Sequence, residues 1–218
     1  MLAARDDARK VRMIKRSVMM PTTAPPTSAP LAPFAEEILT FWFTSGPRED
    51  REVWFRKDDA FDAEIRERFG EAIAPGLAGA FGDWCTTPRG SLARVILLDQ
   101  FTRNAFRGTP QAFAGDARAL ATAKHALERE FDRELDPYER WFMYMPFVHS
   151  EDLETQDQAV TLFVALAAET GLDSPLPWTR RHRDVIARFG RFPHRNEILD
   201  RPSTPDELSF LAQPGSRF

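Results

Sequence analysis

Asp136-Pro137-Tyr138-Glu139-Arg140-Trp141-Phe142-Met143-Tyr144-Met145 is the stretch on which the fold turns. Asp136 is a helix-capping residue type, Pro137 takes the first helical position, and Glu139 stands where its carboxylate reaches back to the cap amide. Behind that start Tyr138, Trp141, Phe142 and Met145 recur at i, i+3, i+4 and i+7, which lays them along one helical face. One further turn brings His149 onto the same stripe, so its ring is expected to point inward.

The same start signal returns at Thr204-Pro205-Asp206-Glu207. Outward from these two points the apolar pattern stays helical. Phe34, Ile38, Phe41 and Trp42 predict an opening helix that ends near Gly46-Pro47. Phe61, Ile65 and Phe69 predict a second from about Asp58, with Arg66 and Arg68 in its last turn and Gly70 as a left-handed cap. A third begins at Leu92, Val95 and Ile96, and Thr109-Pro110 is read as opening a long fourth that carries Leu120, Leu127 and Phe131. Leu162, Phe163 and Leu166, then Val185, Ile186 and Phe189, complete the set. No run of alternating β-branched residues with hairpin turns interrupts them. The expected fold is all-α, a compact multi-helix domain. Arg-Phe-Gly occurs at both 68–70 and 188–190, two similar helix endings that hint at an internal duplication.

The chain has 218 residues, 43% of them hydrophobic, including 18 Phe and 5 Trp. That is one domain's worth of core without disulfides or a structural metal. The single cysteine, Cys85, excludes an intrachain disulfide and any multi-cysteine metal site, and is read as a small buried hydrophobe. The net charge of −4 argues against a nucleic-acid partner. Residues 1–33 carry +4 against −8 for the remainder, and run into a Pro/Thr/Ala-rich linker. They are expected to be a disordered basic tail, with residues 34–218 as the single helical domain. No apolar stretch approaches the roughly 20 residues that span a bilayer, and the expected location is the cytoplasm, with no membrane partner.

Three segments hold polar residues that the apolar pattern does not require. In Leu97 to Gly108, a continuous helix would set Asp99, Arg103 and Arg107 four apart on one face, beside Gln100 and Asn104. The flanks are densely apolar, so a buried Asp99–Arg103 brace is one reading. In Tyr144 to Asp152, His149 points inward and Glu151 and Asp152 are placed to cap the next helix. In Arg188 to Asn196, the residues Arg191, His194, Arg195 and Asn196 stand among Gly, Pro and Phe, as in a shaped loop. His182 shares the stripe of Val185, Ile186 and Phe189 and is expected to face the core. Zinc-helix, phosphate-loop, dinucleotide and nucleophile-elbow signatures are all missing.

These segments also carry a resemblance. Ile38 to Phe43, Leu98 to Gly108, Met145 to Glu151, and His182 through Asn196 to Thr204 resemble the bacterial domain of unknown function family 924. The resemblance implies a compact helical fold of the tetratricopeptide-like superfamily and implies no activity. One departure is Asp200, where the family pattern leads us to expect Gly and so a left-handed turn.

Three functional readings follow. The leading one is a pocket for a small anionic ligand, phosphate or carboxylate, bound by Arg103, Asn104, Arg107, Arg195 and Asn196. In an enzyme His149 or His194 would serve as the acid–base group, with Asp99, Gln100, Glu151, His182 and Arg191 as brace or support. The alternative is a protein-binding helical scaffold in which the same polar residues are a structural brace. A metal-dependent hydrolase built from Asp99, His149, Glu151 and His194 comes third, since it needs distant residues to converge. No cofactor or bound metal is expected under the first two readings.

Overall fold

A computed structural model describes residues 31–43 and 52–216. The expected tail at residues 1–33 lies almost wholly outside the described residues. The described residues form helices α1 (Pro33–Phe43), α2 (Asp59–Ala78), α3 (Pro88–Val95), α4 (Thr102–Ala105), α5 (Asp116–Glu128), α6 (Pro137–Val148), α7 (Leu153–Thr170), α8 (Leu176–Phe189) and α9 (Pro205–Leu211), several of them joined by short 3-10 turns. Among the described residues there is no strand, and no helix is long and apolar enough to cross a membrane. The fold is all-α.

Both capping boxes form. Asp136 accepts from the amides of Tyr138 and Glu139 while the Glu139 carboxylate takes the Asp136 amide, and Thr204 with Glu207 repeats the arrangement. Helix α6 starts where its sequence says, and it is buried nearly all round, from Glu139 through Val148, except at Met145. A helix covered on every side is a central one.

The core is aromatic. Trp42 of α1 sits edge-on to Phe142 of α6 at 5.3 Å and to Phe101 at 5.8 Å, and Phe69 of α2 closes on Phe101 at 4.7 Å. Each such ring contributes roughly 2–3 kcal/mol by leaving water. A second, small apolar cluster stands apart, made of Val185, Ile186 and Phe192 with Phe189 and Phe210 against it.

Three local expectations are corrected. Helix α2 does not stop at Gly70; it runs on to Ala78 and is capped by Gly79 at φ 108. Its buried stripe continues through Ile73 and Gly76, and that burial outweighs the ~1 kcal/mol that a mid-helix glycine costs. The two Arg-Phe-Gly phrases are therefore not alike, since Gly190 does cap α8 at φ 67. Thr109-Pro110 opens only a 3-10 turn over Pro110–Phe113, and α5 begins at Asp116 after Gly115. At Gly115 a Cβ would lie 1.9 Å from the Leu98 carbonyl oxygen, so the backbones of these two segments meet directly.

Candidate functional site

Between α3 and α4 the chain makes a π-helical turn at Ile96–Phe101, every residue of which is buried. Such turns inside α-helices often mark functional positions. This one delivers Asp99, 0% exposed, into the interior. Three groups gather on it. His149, the residue that caps α6, brings Nδ1 to 2.8 and 3.0 Å from the two carboxylate oxygens. Arg103 places Nη1 3.0 Å from Oδ1, and Gln100 donates Nε2–H to Oδ2 at 2.5 Å. Burial opposes ionisation of Asp99, but the Arg103 charge and the His149 contact outweigh it and hold the carboxyl well below its ordinary range. Burial, and then the Arg103 charge, push the His149 imidazole down. A neutral ring facing an ionised carboxylate must carry its proton on Nδ1, so Asp99 fixes the tautomer. Nε2 of His149 makes no hydrogen bond within the protein.

Arg103 is a two-sided fork. Besides Asp99 it donates to both oxygens of Asp116, the first residue of α5, at 2.8 and 3.0 Å. Asp116 Oδ2 also accepts from Arg195 Nη1 at 3.3 Å, while Arg195 Nη2 donates to the His149 carbonyl at 3.1 Å. The Arg195 guanidinium lies 4.7 Å from the Phe113 ring centre and 4.5 Å from that of Phe192. Burial and the like charge of Arg103 lower its pKa to about 10, so it stays charged at neutral pH. Segments around residues 103, 149 and 195 thus converge, as their shared polar-in-apolar character suggested.

The remaining candidates fall into two neighbouring networks. Asn104 Nδ2 donates to Asp62 Oδ1 at 2.8 Å and Arg107 grips both Asp62 oxygens at 2.7 and 2.9 Å. Arg107 therefore leaves the Asp99 face, because α4 ends at Ala105 and the chain turns away. Toward the C-terminus, Glu151 accepts from the Phe192 amide at 2.8 Å and from Arg201 at 2.7 and 3.0 Å. Glu207 takes both Arg191 contacts, at 2.6 and 2.7 Å, and the Asn196 amide at 3.3 Å. The Arg191 fork is the main reason the Glu207 carboxyl drops to about 2. His182 donates to the Trp178 carbonyl at 2.8 Å and stands edge-on to Phe192; His194 lies on that ring's other contact at 5.6 Å.

The charges balance one for one: Arg103, Arg107, Arg191, Arg195 and Arg201 against Asp62, Asp99, Asp116, Glu151 and Glu207. No cationic surplus is left for an anion. Among the described residues no group of three or more His, Cys, Asp and Glu side chains could hold a metal ion. Glu151, which a metal reading needs, is occupied by Arg201.

Four partners went unnamed in the sequence reading: Asp62, Asp116, Arg201 and Glu207 as an ion-pair hub. Asp62 had a signal, because it lies on the buried stripe of α2 with Ile65, Phe69 and Ile73. Asp116 and Glu207 look like ordinary first-turn acids, and Arg201 like a loop cation, so pairing alone identifies them.

Comparison with known proteins bears on 38–215, where the chain matches the family model described as "Bacterial protein of unknown function (DUF924)". A solved structure titled as that of the protein of unknown function ATU0120, from Agrobacterium tumefaciens, is 40% identical, with a TM-score of 0.74. The match covers 82% of this chain and 97% of that one. No curated protein matches.

Proposed function

This chain belongs to DUF924, and on that premise we propose that it is a helical scaffold that acts by binding another protein. Its interior Arg, His, Asp and Asn side chains serve as a brace. The observation that carries this reading is the one-for-one matching of guanidinium and carboxylate groups across the three networks. An anion entering such a network must displace a carboxylate that is already paired, and breaking a buried pair costs about 3–5 kcal/mol. Large apolar side chains stand instead at the surface: Trp178 is 56% exposed, Leu208 57% and Phe55 53%. Tetratricopeptide-like stacking of the helix pairs, as the family resemblance implies, would give such a scaffold a concave face.

A second reading has its own supporting observation. Arg195 Nε is buried without an acceptor, and His149 Nε2 makes no protein hydrogen bond. A small anion or water that reached these atoms would use Arg195 and Arg103 as clamps and His149 or His194 as the acid–base group.

Melting in rising phosphate or citrate, against chloride of equal ionic strength, separates the two. The scaffold reading expects no saturable gain in Tm; a saturable rise that is lost in Arg195→Gln would install the anion site in its place. Capture from a bacterial lysate on the full chain adds the positive arm. A specific partner should be retained by the wild type and lost by Trp178→Ala with Leu208→Ala.

A further inference from the structure

We propose that residues 190–216 form a lid that opens as one unit about Gly190 and uncovers the Asp99–His149 pair. The inference rests on the bracing reading of the same side chains and asks what the brace can release.

The segment is tied together internally. Glu207 of α9 holds Arg191 in a two-point fork and takes the Asn196 amide; Asn196 in turn accepts from Arg201 Nε at 3.1 Å and donates to Ser203 Oγ at 3.1 Å. Arg191 also reaches the Pro202 carbonyl at 2.9 Å. The loop and α9 therefore share one hub, and neither moves without disrupting the other.

Its attachment to the rest of the molecule is polar as well, with one small apolar patch beside it. Glu151, just before α7, holds the Phe192 amide and Arg201; Arg195 reaches Asp116 and the His149 carbonyl; Arg181 of α8 donates to the Gly215 carbonyl. The apolar part is the separate small cluster, in which Phe192 and Phe210 meet Val185, Ile186 and Phe189. This cluster is separate from the main aromatic core. Segments with few apolar contacts and a polar boundary are the ones that open sub-globally. Gly190, at φ 67, is the left-handed joint between α8 and the segment, a position where a glycine absorbs backbone rotation at no steric cost. Arg195, the inner edge of the segment, rests on the turn that holds His149, and its charge is felt at Asp116, Glu151 and Asp99. Lifting the segment removes that cover.

Hydrogen exchange on the full chain tests the idea, comparing wild type with Glu151→Gln. Glu151 touches Phe192 and Arg201 but makes no hydrogen bond to the α9 amides. If the segment opens as a unit, the amides of Leu199, Arg201, Leu208 and Ala212 share one exchange rate and accelerate by one common factor, on the order of tenfold. The amides of α3 and α6 stay unchanged. Acceleration at Phe192 and Arg201 alone overturns the proposal in favour of local fraying, and equal acceleration throughout the chain overturns it in favour of global unfolding. Should the variant fold poorly, the wild type in molar against low salt reads the same set of amides, since screening weakens the pins. Carbethoxylation of His149, referenced to His125, should rise by the same factor; an unchanged rate shows that the segment does not cover His149. These outcomes are independent of the anion titration, which tests the brace itself.

Discussion

Nδ1 of His149 lies 2.8 Å from Oδ1 of Asp99, joining the end of α6 to a π-helical turn fifty residues earlier. The carboxylate would not be stable there alone, for a lone buried carboxylate carries a large desolvation penalty. Together with Arg103 the two side chains form a unit in which the carboxylate is ionised and the ring is neutral.

Arg103→Ala should therefore lower unfolding stability by about 3 kcal/mol, because it strands Asp99 and half-strands Asp116. Arg103→Lys should recover less than half of that, since an ammonium cannot fork between two carboxylates. Urea unfolding of the three proteins provides the measurement. A loss under 1 kcal/mol for the alanine variant contradicts the brace.

Gly115→Ala should be as damaging without touching a charge. The added methyl would sit 1.9 Å from the Leu98 oxygen, backbone against backbone, where no rotamer relieves it. We expect a loss of about 3 kcal/mol. A near-neutral result in the same unfolding assay means that the contact between α5 and the π turn is looser than described.

Acid should destabilise the fold in two stages. His149 and His182 both bind protons more weakly folded than unfolded, chiefly through burial, His182 falling to about 3 from its ordinary 6.5. Below pH 6.5 the unfolded chain holds the extra protons, so stability drops as pH falls, by at most about 1.4 kcal/mol per pH unit for each ring. Glu151 and Glu207 are depressed instead, and their contribution is lost only as pH falls below about 4.3, that of Glu207 down to about 2. His182→Gln should flatten the slope of Tm against pH between 6.5 and 4.5 by about half. An unchanged slope would falsify the assignment of His182 as a neutral interior group.

Asp200→Gly should be neutral or stabilising by up to about 1 kcal/mol. Asp200 adopts φ 52, the left-handed region expected for a Gly there, and its side chain makes no hydrogen bond. A measurable loss in Tm means that the Asp200 carboxylate supports the turn in a way that the geometry does not reveal.

The sequence by itself determined the class of the fold and the inward direction of His149, though not the face taken by Arg107. Period-3.6 stripes and the caps at Asp136 and Thr204 are local, each decided within a few residues, so they are legible one segment at a time. Inward-facing His149 followed from the same periodicity. Even the strained position at Asp200 was marked by the residue expected in its place. Tertiary structure alone decided the rest. Helix α2 passes through Gly70 because its far face is buried, and α5 begins late because Gly115 must admit the Leu98 carbonyl. Whether Arg103, Arg107 and Arg195 face a ligand or a carboxylate depends on Asp62 and Asp116; the stripe of α2 marks Asp62 as inward but not its partner, and Asp116 reads identically whether it faces water or an arginine. Charge pairing is a relation between segments far apart along the chain, and no periodicity within either segment encodes it.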